Sequence, residues 1–238
     1  MIEKMFKKPV LLTKQNKDIK FSQLKNYKHS RNLGAIAINY LEISEISKHY
    51  PIFFVKDGEF FTPIALLGAK SDTNLFVNKS GEWSGHRYIP ALIRLYPFIF
   101  SKPDNNGDST VVSIAYDSEF DGLNDHNGER FFKDDLSLSD FGSRVMKFAE
   151  DTFIAINRTQ QMLNIAKEIG LLVQIDITFG KNGERDHKIN GLWQIDRTKL
   201  NSLTDDELLK LTKSGTLHLI YNHIDSANNF DNLVNKIV

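Results

Sequence analysis

The sequence predicts an α+β fold in which irregular antiparallel β meanders and sheets pack with one long helix and several shorter C-terminal helices. Three observations lead there. Short apolar runs separated by Asp-Gly, Asn and Pro turn residues fill the first half of the chain. A three- and four-residue apolar period is sustained from Ser139 to Ile169, and Thr204 followed by Glu207 opens further helical segments behind it. At 238 residues the chain is long enough to bury roughly 70% of its extended surface, so 1–238 reads as a single compact domain. A β-rich N-terminal lobe over 33–120 and an α+β C-terminal lobe over 139–238 are compatible with that reading.

Taken in order, the chain starts with a charged segment and the short apolar Pro9 to Leu12, followed by a basic, polar stretch from Lys14 to Arg31. Leu33 to Ile38 suits a strand, whereas Leu41 to Ser47 fits either alternation or a short helix. Ile52 to Val55 and Phe60 to Leu67 flank Asp57-Gly58, the dipeptide that supplies the positive backbone torsion of a tight hairpin. Pro63 requires a position in that hairpin where no amide donor is needed. Asn74 to Trp83 suggests a second hairpin, closed at Gly81. Pro90 suits the opening of a helix of one to two turns, and Pro97 stops it. Phe98 to Phe100 and Thr110 to Tyr116 read as strands joined by the turn-rich Lys102 to Asp108.

From Ser139 onward, Val145, Phe148, Ala149, Thr152, Phe153, Ile156, Leu163, Ala166 and Ile169 define the long amphipathic helix, with Gly170 placed to end it. Val173, Ile175, Ile177 and Phe179 alternate with polar residues, as do Ile189, Gly191, Trp193 and Ile195 beyond the turn at Lys181 to Glu184. Together they predict an antiparallel pair, with Gly191 a candidate bulge. Thr204 and Glu207 form a capping box, with Leu203 and Leu208 as its hydrophobic staple, and Gly215 terminates that helix. Leu217, Ile220, Tyr221 and Ile224 mark a further apolar face, and Ser226 breaks or recaps it before Phe230, Leu233, Val234 and Ile237.

Composition narrows the function classes. Thirty basic side chains balance thirty acidic ones, which gives none of the global positive field of a nonspecific nucleic-acid binder, and no specific nucleic-acid partner is expected. The absence of cysteine excludes disulfides, thiol catalysis and thiolate-ligated metals. No apolar run approaches the roughly 20 residues of a membrane span, and the apolar segment near the start is too short for a secretory signal, so a cytoplasmic location is expected. No cofactor is expected, and the apolar helical stripes leave homo-oligomerisation open.

Candidate sites are few. Trp83, His86, Arg87, Tyr88, Arg94 and Tyr96 form the richest aromatic and basic segment, where an arginine fork can meet a carboxylate or phosphate beside a tyrosine wall. The acidic stretch from Asp117 to Asp140 includes Asp121, Asp125 and His126, which lack metal-loop spacing and read as a solvated loop. His218 and His223 lie about 140° apart on a helix and make a poor metal pair. Asp176, Asp186 and His187 surround the later hairpin, but alternation puts Asp176 on its polar face. No catalytic residue, metal site or phosphate loop is assigned.

Ordered blocks along most of the chain carry a resemblance. They run from His49 to Asp57, Pro63 to Gly68, Asn74 to Val77, Gly81 to Trp83 and Arg87 to Phe98, then Gly191 to Asp196, Lys199-Leu200, Leu203 to Leu208 and Gly215 to Leu217. In these blocks the chain resembles the bacterial SapC family, named after a gene neighbouring surface-layer protein genes. The resemblance implies association with surface-protein systems and supplies no catalytic residues. It leads us to expect a non-catalytic accessory or binding protein for a surface-layer or related surface-protein pathway, with a protein of that pathway as partner. The alternative is a protein-modifying or small-molecule enzyme with an acidic-ligand site near Arg87 and Arg94, which requires the aromatic segment and the acidic stretch to converge.

Overall fold

The architecture follows from two long-range β pairings that gather residues from both ends of the chain. The structure, a computed structural model, describes residues 2–101, 113–124, 126–179 and 187–235. The expected linker at 102–108, the turn at 181–184, and Asp125 and Asp186 lie outside these residues. In chain order the elements are β1 (Pro9–Leu11), β2 (Lys20–Phe21), β3 (Ala35–Ala37), α1 (Ile43–Ser47), β4 (Ile52–Asp57), β5 (Phe60–Leu66), α2 (Ala91–Arg94), β6 (Phe98–Ser101) and β7 (Ser113–Asp117). They continue as β8 (Leu123–Asn124), β9 (Glu129–Arg130), α3 (Asp140–Glu168), β10 (Leu172–Phe179), β11 (His187–Ile195), α4 (Arg197–Asn201), α5 (Asp205–Ser214), α6 (Thr216–Ser226) and α7 (Asn229–Val234). The α+β class read from the sequence is the class of the fold.

The main sheet has the order β10-β11-β4-β5-β3, every neighbouring pair antiparallel. Gly58, with φ 55°, turns β4 into β5. Pro63 faces Phe54 in the ladder, and its ring nitrogen points away from β4 toward the side where β3 has already ended; its carbonyl accepts from Ile38 N–H. The missing amide proton therefore breaks no rung between β4 and β5. In β11, Gly191 adopts φ 74° where the register slips between Ile175 and Ile177. This bulge changes the phase read from the sequence: Ile189 opposes Ile177 and Leu192 opposes Ile175, so these two share a face although three residues apart. Trp193 then belongs to the other face, with its ring 5.0 Å from that of Phe61.

Helix α3 begins because the Ser139 side chain accepts from Gly142 N–H, and it ends at Gly170, φ 76°. Its buried positions Ala149, Thr152, Ala155, Thr159, Met162, Leu163 and Ala166 keep the expected period, with alanine and threonine where the helix approaches its neighbours. Thr159 fixes the helix to the main sheet's periphery by accepting from Tyr40 N–H at 2.9 Å. The capping box at Thr204 and Glu207 opens α5, which Gly215 closes. On α6 the buried positions are Thr216, Leu219, Ile220, His223 and Ser226, whereas Tyr221 is exposed. The expected second hairpin is reduced to a single bridge, Val77 to Trp83, around a turn that Asn78 organises by accepting from the Gly81 and Glu82 amides. The side chain closes the turn, and no ladder forms behind it.

Two apolar clusters result. The larger holds the main sheet, α1 and the apolar faces of α3, α5 and α6; the smaller joins Phe21, Leu95, Phe98, Ile114, Tyr116, Phe120, Phe131 and Ala149. Two small sheets, β1-β7-β6 and β8-β2-β9, frame the smaller cluster. Full burial of a phenylalanine such as Phe131 contributes about 1.5–3 kcal/mol, so this aromatic layer is a substantial part of what fixes α3 against β6.

Candidate functional site

The segment from Trp83 to Tyr96 is divided among three hollows. Trp83 is buried and donates from Nε1 to Tyr50 Oη at 2.9 Å, while Tyr50 Oη donates to the Tyr88 carbonyl at 2.7 Å. Burial pushes the Tyr50 hydroxyl well above its ordinary range, so it stays a neutral link. Trp83 is thus an anchor for the loop that carries the other candidates. His86 is exposed. Arg87 lies over the Phe76 ring, donates to the Ser84 carbonyl and borders a hollow of about 100 Å³ with Lys48 and His49. Arg94 and Tyr96 border larger clefts elsewhere.

Tyr96 is the wall between those clefts. One, of about 540 Å³, is lined by Lys7, Lys25, Lys28, His29, Phe120 and Asp121; the other, of about 430 Å³, by Phe21, Arg94, Phe98, Phe141, Arg144 and Phe148. Ser22, Gln23, Leu24 and Tyr96 border both. The Tyr96 ring stacks on His29 with centroids 4.0 Å apart and planes within 6°. Its hydroxyl donates to Asp117 Oδ2 at 3.0 Å, so the aromatic segment and the acidic stretch do converge at one point.

That point is structural rather than reactive. Asp117 is fully buried, and it accepts from Lys7 N–H and Tyr96 O–H on Oδ2 and from Lys8 and Glu119 N–H on Oδ1. Burial pushes its carboxyl up, but the three amides and the phenol outweigh that and hold it below the usual carboxylate range. The solvated-loop reading fails for Asp117 because it closes β7 onto the N-terminal strand. His29 is neutral: burial lowers it to about 4 against the opposing bond to the Ile93 carbonyl and the nearby Asp117 charge. Glu42 is buried with its carboxyl raised by burial, and it accepts from Asn39 and from Ala91 N–H, the first amide of α2. The Asp117 and Glu42 carboxylates are thus held by backbone amides, and His29 Nε2 by the Ile93 carbonyl.

Elsewhere the arrangement offers little for proton transfer. Ser44 Oγ and His218 Nε2 are 2.9 Å apart, but the pair is exposed, and the nearest companion of the imidazole is the Asn222 amide instead of an acid. His223 is buried between Ile52 and Ile195 and serves packing, so the two histidines have separate roles. Asp176 pairs with Lys188 at 3.2 Å, and His187 leans on Phe179. Among the described residues no three histidine, aspartate or glutamate side chains converge to hold a metal ion.

The second cleft sets Arg94 against an aromatic wall. The Arg94 guanidinium lies 5.1 Å from the Tyr88 ring and 5.2 Å from the Phe148 ring, and its Nη2 donates to Tyr88 Oη at 2.7 Å. Sequence reasoning found Arg94, Tyr88 and Tyr96 but missed the walls from β2, α3 and residues 22–29. The only signal for the last was the basic stretch before Arg31, which carries no motif.

No helix among the described residues is long and apolar enough to cross a membrane. No curated protein and no solved structure matches the chain. A family model, SapC, matches residues 11–233, which covers the whole main sheet and, apart from residues before position 11 such as Met5 and Lys7, both apolar clusters and both clefts beside Tyr96. The chain therefore belongs to the SapC family.

Proposed function

We propose that this protein is a non-catalytic accessory or binding protein that acts in the cytoplasm on a surface-layer or related surface-protein pathway. The observation that carries the reading is the commitment of the buried ionisable groups. Asp117 and Glu42 brace the clefts with their carboxylate oxygens engaged by backbone amides, Asn39 and Tyr96, and His29, which borders the first cleft, has its Nε2 bonded to the Ile93 carbonyl. A general acid or base must exchange its proton with substrate, and a carboxylate saturated by amide donors is poorly suited to that. The clefts instead present aromatic walls and rim cations, the features of recognition. Membership of the SapC family supports the pathway. Affinity capture with the tagged full chain from its native cells, followed by direct binding of the purified pair, tests this. A surface-protein pathway component that binds directly is the expected result; repeated capture without any such component overturns the assignment.

A further inference from the structure

We propose that the cleft bordered by Arg94 is a binding site for a small amphipathic monocarboxylate, an aryl or medium-chain acyl acid. Its apolar body lies among the phenylalanines and its carboxylate meets the Arg94 guanidinium. The inference is independent of the surface-protein reading. The cleft volume of about 430 Å³ falls within the roughly 300–1,000 Å³ of small-ligand sites. Docking a protein segment stably requires about 1,200–2,000 Å² of buried surface, more than a hollow of this size provides, so a protein partner would contact surface well beyond this cleft while a small ligand fills it. Phe21, Phe98, Phe141, Val145 and Phe148 form its apolar wall.

Charge fixes the other half of the ligand. Arg94 is held between the Tyr88 and Phe148 rings and has no carboxylate within ion-pairing distance among the described residues. Its hydrogen-bond partner, the Tyr88 hydroxyl, is raised to about 12 by burial and the Glu42 charge, so it remains a neutral phenol; Glu42, behind it, acts on the guanidinium only through space and makes no ion pair with it. The second arginine, Arg144, is already matched by Glu129 at 3.1 Å. The ionised side chains lining the cleft thus carry one net positive charge, which a monoanion balances and a phosphate dianion would exceed. A guanidinium restrained by two rings loses little further freedom on forming a two-point bond to a carboxylate.

The experiment is calorimetric titration of the full chain with 2-naphthoate and with 2-naphthamide, which keeps the aromatic body and lacks the charge. The wild-type protein should bind naphthoate at least tenfold more tightly than naphthamide. Arg94→Gln should erase that difference while leaving the amide unchanged, and Val145→Phe, which narrows the apolar wall without touching charge, should weaken both. Thermal melts confirm that each variant is folded, and Val145→Phe provides a reading independent of Arg94. Equal affinity for the two probes, an Arg94→Gln variant that retains the preference, or no binding of either probe by folded wild-type protein overturns the proposal. None of these results bears on partner capture, so the two readings fail separately.

Discussion

Substitution of Asp117 by asparagine tests the reading of the Tyr96 junction most directly. The new side chain keeps an oxygen for Lys8 and Glu119 but directs an amide N–H₂ at the Lys7 amide and the Tyr96 hydroxyl, both of which donate to Oδ2 in the native protein. Two hydrogen bonds to a charged acceptor, each worth about 1.5–3 kcal/mol, are lost. The Tyr96 hydroxyl can turn to accept from the new amide, which returns about 1 kcal/mol. The net cost is about 3 kcal/mol, and for a chain of this length that lowers Tm by roughly 6–12 °C. The sign of the pH dependence follows from the depressed carboxyl. The stabilisation is present above the ordinary aspartate value of 3.8 and is lost as pH falls through the lower value of the folded protein. Thermal melts of wild type and Asp117→Asn across the acid range should therefore differ most near neutrality and converge at low pH. A neutral-pH difference below about 3 °C, less than the roughly 1.5 kcal/mol expected of even one such bond, would refute the network as a stabilising element.

Two further outcomes follow from buried or strained groups. His223 donates from Nδ1 to the Ile52 carbonyl and accepts from Ile195 N–H on Nε2, and burial lowers it to about 4 from 6.5. The unfolded chain therefore binds more protons between those values, so native stability declines as pH drops from 6.5 toward 4, and His223→Asn should show a shallower decline in urea titrations over that interval; an unchanged slope counts against it. Leu136 holds φ 63° in the turn before α3, a conformation costing a side chain about 1–2 kcal/mol, and Leu136→Gly, offset by chain entropy, should raise stability by about 0.5 kcal/mol in equilibrium unfolding. A clear loss would show that the partly exposed leucine contributes packing that outweighs its strain.

How far the sequence was readable depended on how local the responsible interactions are. Asp57-Gly58, the Ser139 to Gly170 period and the Thr204–Glu207 box were legible because each is settled within a few residues. The small sheets were not. Strand β1 is three residues long and pairs with β7 more than one hundred positions away, and β2 is two residues long between β8 and β9. Such strands carry no period, and their pairing is decided by the aromatic cluster they enclose. The candidate site divides in the same way. Arg94 and Tyr96 stood out as residue types, but the cleft that gives Arg94 its context is made by β2, β6 and α3 meeting in space. Lys14 to Arg31 read as a basic, polar stretch, yet its second half lines both clefts beside Tyr96.

The extra residue at Gly191 acts as a half-step in the hairpin of β10 and β11. Side chains of an uninterrupted strand change sides with every residue, so the base and tip of such a hairpin would be locked into one alternating order. Here the base keeps Trp193 opposite Phe54 of the main sheet, while Ile177 and Ile189 at the tip follow their own order. The bulge thereby sets the side-chain order at the outer end of the arm one residue out of step with the aromatic base.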